Sequence, residues 1–289
     1  MTALRNEVSA EGTAREFAAR YGYSATGVWS APGRVNLIGE HTDYNEGFVL
    51  PFAINRRTYA AVALRKDGIC RVSSSFTDES VQVRFDGISR DSVAGWSAYP
   101  LGVAWALGAK SGFDIYIDSD VPVGAGLSSS AAIECAVSVA LNELWSTGFD
   151  RRELARIGQR AENEIVGAPT GIMDQSASLL GELDHAVFLD CRTLETQAEA
   201  LGFAAAELEL VIIDTKVEHR HADGGYKSRR EACERGAASL GVSSLRDLGV
   251  DDLPRAAEVL DELTYRRVKH VITENQRVLE TVKTLREQG

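Results

Sequence analysis

The run Pro122-Val123-Gly124-Ala125-Gly126-Leu127-Ser128-Ser129-Ser130-Ala131-Ala132 stands between an alternating, strand-like segment at 113–117 (FDIYI) and a segment at 131–145 that is apolar on nearly every side. Strand, small-residue loop and buried helix is the order this implies. Glycines let a backbone approach a ligand closely, and the amides at a helix N-terminus, where the dipole is positive, form an anion site. Three serines add hydroxyls, and one of them can serve a magnesium ion. No Gly-Lys-Ser/Thr follows, so this is not a Walker A loop, and Ser129 stands where a dinucleotide fingerprint has its third glycine. The other reading of the same residues is a flexible strand-to-helix turn.

Upstream of this run, residues 4–21 have the pattern of a short amphipathic helix, with Gly22 and Gly27 around the turn that follows. Strand-like runs come next at 57–64, 70–75 and 80–85, then apolar residues at helical spacing over 96–110. Downstream, Asp150 with Glu153 forms a capping-box start for a helix reaching about 166, with Leu154, Ile157, Ala161 and Ile165 on one stripe. Strands are expected at 185–190 and 208–214, the second nearly all apolar and therefore central, and helices at 226–240 and 253–263. A last stripe runs Val268, Val271, Ile272, Asn275, Val278, Leu279, Val282, Leu285. The expected class is α+β in two domains, 1–180 and 181–289.

A chain of 289 residues fits one large domain or two ordinary ones, and 44% hydrophobic with 25% charged residues is ordinary for a folded globular protein. Asp and Glu number 42 against 31 Lys and Arg, a formal charge of −11 that argues against nucleic acid or an anionic membrane as partner. Four cysteines, at 70, 135, 191 and 233, are too scattered for a zinc ribbon or a small disulfide framework and read as reduced, packed thiols. The N-terminus lacks the apolar stretch of a signal peptide, so a cytoplasmic protein is expected, with no protein partner indicated.

Two further stretches gather chemistry. In 31–45, APGRVNLIGEHTDYN, an Arg, a Glu, a His, an Asp and a Tyr crowd a glycine-punctuated loop, equipment for hydrogen-bonding a polyhydroxylated ligand. A solvated loop with surface ion pairs is the bland alternative. In Gly171-Ile172-Met173-Asp174-Gln175-Ser176 an aspartate enters a helix, where such a residue is often an N-cap. Asp174, Glu162, Arg34 and the serine-rich loop nevertheless make up the parts of phosphoryl transfer: a base, a metal ligand, a cationic stabiliser and a phosphate cradle. His219-x-His221, lacking a third ligand, reads as an exposed loop.

Together these segments resemble the galactokinases of the GHMP small-molecule kinase superfamily. The 33–45 run matches that family's signature and GAGLSSSAA the superfamily's loop, while 226–233 and 266–275 again look like galactokinase. The resemblance implies a GHMP kinase fold, its N-terminal domain holding the phosphate loop in a left-handed βαβ unit. It also implies transfer of the γ-phosphoryl of MgATP to the 1-hydroxyl of α-D-galactose. Asp174 would be the base, paired with Arg34. Glu40, His41, Thr42 and Asp43 would hold the sugar, with Gly171 and Tyr226 completing the pocket. Gly124, Ala125, Gly126, Leu127, Ser128, Ser129 and Ser130 would cradle the phosphates, and Ser130 with Glu162 would hold magnesium. Trp96, with Tyr99, and Ser74 align near the nucleotide, although a core Trp and a plain strand-end Ser fit as well. The family's third, glycine-rich motif is not found after Gly225, where Gly236, Gly241, Gly249 and Gly289 stand isolated, so a fragment or an incomplete C-terminal half is expected. The alternatives are a kinase-like galactose sensor, against which the intact Ser128–Ala132 stretch argues, and an N-acetylgalactosamine kinase.

Overall fold

The structure, a computed structural model, describes residues 8–213 and 225–288. In chain order its elements are α1 (Ala10–Tyr21), β1 (Gly27–Asn36), β2 (Phe48–Val49), β3 (Pro51–Arg65), β4 (Ile69–Ser74), β5 (Thr77–Arg84), α2 (Ala98–Ala106), β6 (Gly112–Ser119), α3 (Ser129–Leu144), α4 (Arg151–Ala161), α5 (Met173–Leu180), β7 (His185–Asp190), β8 (Thr196–Ala200), α6 (Gly225–Leu240), α7 (Leu253–Val259) and α8 (Glu262–Gln288). The chain divides into two compact units, Met1–Gly33 with Ile54–Ala168 and Arg34–Ala53 with Pro169–Gly289. The sequence suggested one boundary at 180–181; instead the segment 34–53 is assigned to the second unit.

In the first unit a five-stranded sheet runs β1-β3-β6-β4-β5. β3 and β6 are antiparallel, pairing Tyr59 with Asp118, and β4 joins β6 in parallel. Helix α1 starts where Ser9 Oγ accepts the Gly12 amide (3.1 Å) and stops at left-handed Gly22, which gives it a narrower span than 4–21; residues 4–7 lie outside the described residues. It buries Phe17 against Ala61, Ala63 and Tyr116 of the sheet. The expected helix from Asp150 forms with a complete capping box. Its regular turns end at Ala161, and residues Glu162–Val166 form a π-helical turn stopped by left-handed Gly167. Helices α2, α3 and α4 pack on one another, and α3 is buried from Ala131 to Ser138 as its apolar sequence requires.

The second unit has a three-stranded sheet, β2-β7-β8, antiparallel throughout, with Phe48 opposite Asp190 and Leu189 opposite Thr196. Its helical layer is built on Cys233, Ala237, Leu240, Leu245, Ala256, Val268, Val271 and Ile272. One helix expected over 253–263 is instead broken. α7 ends at Val259, and Asp261 then caps α8, its Oδ1 accepting the amides of Leu263 (3.1 Å) and Thr264 (3.0 Å).

The central strand expected at 208–214 is not formed. Residues 208–213 are irregular and exposed, Val211 at 74% and Ile213 at 79%, while Asp214 lies outside the described residues. An apolar β-branched run becomes a strand only where a neighbouring strand satisfies its backbone, and neither sheet includes this segment. All four cysteines are free thiols, three of them buried. No helix among the described residues is long and apolar enough to cross a membrane.

Candidate functional site

The stretch 31–45 is not wholly a loop. Ala31 to Asn36 complete β1, with Ala31 buried, and the loop proper begins after Asn36 and closes through a 3₁₀ turn at Asp43–Asn45. Strand pairing thus fixes Arg34, and the loop carries Glu40, His41 and Asp43. Arg34 reaches Asp174, in the first turn of α5; Nε and Nη2 each lie 2.7 Å from Asp174 Oδ1. The N-cap of α5 is Ile172, so Asp174 does not serve as the cap.

Asp43 accepts the Tyr44 amide at 2.9 Å. Burial, and after it the charge of Asp174, raise its carboxyl from 3.8 to about 6. A Cβ at residue 171 would overlap the Asp43 carboxylate, so only glycine lets the backbone pass there. The Gly171 amide in turn hydrogen-bonds the Tyr226 hydroxyl. Tyr226 stands 5.7 Å from the His41 ring and 5.2 Å from that of Tyr44. Burial and the Asp43 charge push its phenol up.

His41 has φ +67°, the left-handed region that non-glycine residues seldom enter. It is held there by Asn45 Nδ2, which donates to its carbonyl (2.9 Å), and by Tyr44 Oη, 3.0 Å from its Nδ1. Burial lowers its pKa, favouring the neutral ring. Glu40 is exposed and accepts from Asn36 Nδ2 at 2.8 Å. Thr42 differs from its expected role. It is fully buried, with Oγ1 2.8 Å from the Gly39 carbonyl and 2.6 Å from that of Phe48, which makes it a fastener inside the loop.

In the first unit the loop 122–130 follows β6. Gly124 (φ +76°), Gly126 (φ +74°) and Ser128 (φ +55°) are all left-handed ahead of α3, and turns that alternate in this way are the ones in which backbone amides can form an anion-binding concavity. Residues 122–124 and 126 are exposed, Leu127 anchors the loop in the core, and Ser129 and Ser130 open α3. Glu162, at the start of the π-helical turn, is only 3% exposed, which excludes an ordinary surface acid. Burial and then the charges of Glu162 and Glu134 raise the Tyr99 phenol to about 12. Trp96 is half-buried on the turn that leads into α2. Ser74 is buried, and its Oγ accepts the Phe76 amide at 3.3 Å, the work of a turn residue between β4 and β5. His219 and His221 lie outside the described residues.

A family model described as "Galactokinase galactose-binding signature" matches residues 15–64, and one described as "GHMP kinases N terminal domain" matches 98–182. A galactokinase of Streptomyces coelicolor is 50% identical over 276 residues, covering 93% of this chain and 71% of its own length. The chain belongs to the galactokinase family. A Mycobacterium bovis galactokinase is 44% identical over 261 residues, covering 89% of this chain and 72% of its own. The crystal structure of Lactococcus lactis galactokinase complexed with galactose superposes with a TM-score of 0.82 at 29% identity, covering 95% of this chain and 74% of that one. Methanococcus jannaschii mevalonate kinase, with a TM-score of 0.54 at 15% identity over 90% of this chain and 80% of its own, shares the fold. Galactokinases are ATP-dependent sugar kinases, and membership places this chain in that class.

The sequence motifs missed two residues that hold the loop carrying Glu40, His41 and Asp43 through the backbone of its 3₁₀ turn and the residue after it. Ser244 Oγ donates to the Asn45 carbonyl (2.7 Å) and Arg246 Nη1 to that of Glu46 (3.1 Å). The signal available for Ser244 was a Ser243-Ser244 pair ahead of a short turn, too common to single out.

Proposed function

We propose that this chain transfers the γ-phosphoryl group of MgATP to the 1-hydroxyl of α-D-galactose, giving galactose 1-phosphate and ADP. The observation that carries the reading is the set formed in the second unit by Asp174, its partner Arg34, Asp43 and Gly171. Its support is a carboxylate able to take a proton with a cation beside it, and a second, partly desolvated carboxylate able to meet sugar hydroxyls against the backbone at 171.

In this reading Glu40, His41 and Asp43 orient the sugar through charge-assisted and neutral hydrogen bonds, and Tyr226 packs its ring beside them. Asp174 accepts the proton leaving the anomeric hydroxyl, and Arg34 offsets charge as the transfer proceeds. The first unit supplies the amides of 124–130 for the phosphate oxygens. Trp96 and Ser74 belong to the nucleotide side only by alignment. Ser130 and Glu162 offer a hydroxyl and a buried carboxylate, oxygen donors suited to magnesium, which usually takes one or two protein oxygens along with phosphates and waters. Bound there, the ion would neutralise phosphate charge. A cytoplasmic setting, where thiols stay reduced and ATP is present, agrees with four free cysteines.

ADP release measured over galactose, N-acetylgalactosamine, glucose, mevalonate and homoserine tests the reading, with galactose 1-phosphate identified as product. Galactose should be turned over fastest. Faster turnover of N-acetylgalactosamine would replace the substrate, and galactose binding without ADP release would leave a sensor.

A further inference from the structure

Helix α8 carries His270, Glu274 one turn further on and Asn275 beside it, the first two on one face of the helix. All three meet backbone of the sugar-binding loop. His270 Nε2 donates to the Glu40 carbonyl at 2.8 Å. Glu274 Oε1 accepts the Gly39 amide at 2.8 Å and the Glu40 amide at 3.2 Å. Asn275 Oδ1 accepts the Phe48 amide at 2.9 Å, at the loop's other end.

The approach is close at both ends. A Cβ on Gly39 would come within 2.8 Å of the Phe48 carbonyl and 3.2 Å of Val278 Cγ2 on α8, and a Cβ on Gly47 would run into Asn275 Oδ1. Glu274 is buried, and its charge is answered: besides the two amides, Arg277 Nε donates to Oε2 at 2.9 Å and Nη2 at 2.5 Å. These bonds hold the carboxyl below its usual range despite burial. A buried carboxylate aimed at two successive loop amides is a costly way to pack a helix unless the position of that backbone matters.

We propose that His270, Glu274 and Asn275 are positioning residues. They pin residues 39–40 and 48 to α8, and so set where Glu40, His41 and Asp43 stand for the sugar. The inference rests on the reading of 40–43 as sugar-binding, and none of the three residues is itself placed on the substrate.

The test compares the full chain with Glu274→Leu, Glu274→Gln and His270→Ala, reading galactose affinity by calorimetry, the KM values for sugar and ATP separately, and amide hydrogen exchange at 39, 40 and 48. Removing the charged acceptor should speed exchange at amides 39 and 40, leave that at 48, which bonds Asn275, near its original rate, and weaken galactose by roughly tenfold or more, with the ATP KM within about twofold. Glu274→Gln, which keeps an acceptor oxygen, should restore most of the affinity. His270→Ala, at a half-buried position, gives the same readout should Glu274→Leu not fold. Faster exchange with unchanged sugar affinity, or parallel loss of both KM values and turnover, would overturn the proposal. Failure of the functional reading shows separately, in the unaltered chain failing to bind galactose. The variants would then be measured on whichever sugar it does bind, and equal affinity for that sugar would overturn the clamp.

Discussion

Both Arg34 Nε and Arg34 Nη2 converge on a single oxygen, Oδ1 of Asp174, at 2.7 Å each. The pair therefore depends on the planar fork of a guanidinium, whose two nitrogens can share one acceptor while holding its orientation. Asp174→Asn keeps the shape and removes the base, so turnover should fall by roughly 10²–10⁴-fold while galactose binding survives. Arg34→Lys should also lose turnover, since a single ammonium cannot reproduce the two contacts. Steady-state kinetics beside calorimetric galactose titration reads both, and unimpaired turnover of Asp174→Asn would return this residue to a structural role.

Asp43 gives a pH dependence with a definite sign. Its carboxyl is raised from 3.8 to about 6, by burial first and by the charge of Asp174 second, so the native state holds this proton more tightly than the unfolded chain. Stability is then lost as pH climbs from about 4 through about 6, and the loss is complete above that. Asp43→Asn has no charge to bury, so its Tm relative to the unaltered chain should be higher at pH 8 than at pH 4.5. Galactose affinity should also rise through pH 6 in the unaltered chain, as the carboxylate becomes the stronger acceptor, and be flat in the variant. Equal Tm differences at both pH values would show that the carboxyl titrates normally.

Gly171 tests the shape of the sugar side. A methyl group there overlaps the Asp43 carboxylate, which must turn away or drag the backbone with it, and the Tyr226 hydroxyl loses its amide donor in the second case. Gly171→Ala should cost galactose affinity by roughly tenfold or more while leaving the ATP KM near its original value, the outcome of misplacing one side of the site by a fraction of an ångström. Calorimetry with galactose, and KM measured for each substrate, check it.

Much of this protein was legible in short stretches of its sequence. The capping box at Asp150 and Glu153, the buried helix after Ser128 and the strand-like runs at 57–64 and 70–75, which fall on β3 and, but for residue 75, on β4, depend on residues a few positions apart, where period and turn chemistry act directly. The 33–45 run and the GAGLSSSAA loop carried their chemistry in residue type and spacing, and the family came from their resemblance to known motifs. What sequence could not determine were partners met only when the chain closes on itself. Arg34 meets Asp174 across 140 positions, a pairing that the family resemblance implied and no local pattern could, and Glu274 meets the Gly39 amide across 235, which nothing in the sequence indicated. Thr42 and Ser74 entered the candidate site only through the family resemblance, Ser74 with a plain strand-end serine as the equal alternative, and in the structure their hydroxyls bond the turns they occupy. Residues 208–213 have every local mark of a strand and are none, because β structure needs a neighbour to satisfy its backbone and only the tertiary arrangement decides whether one is there.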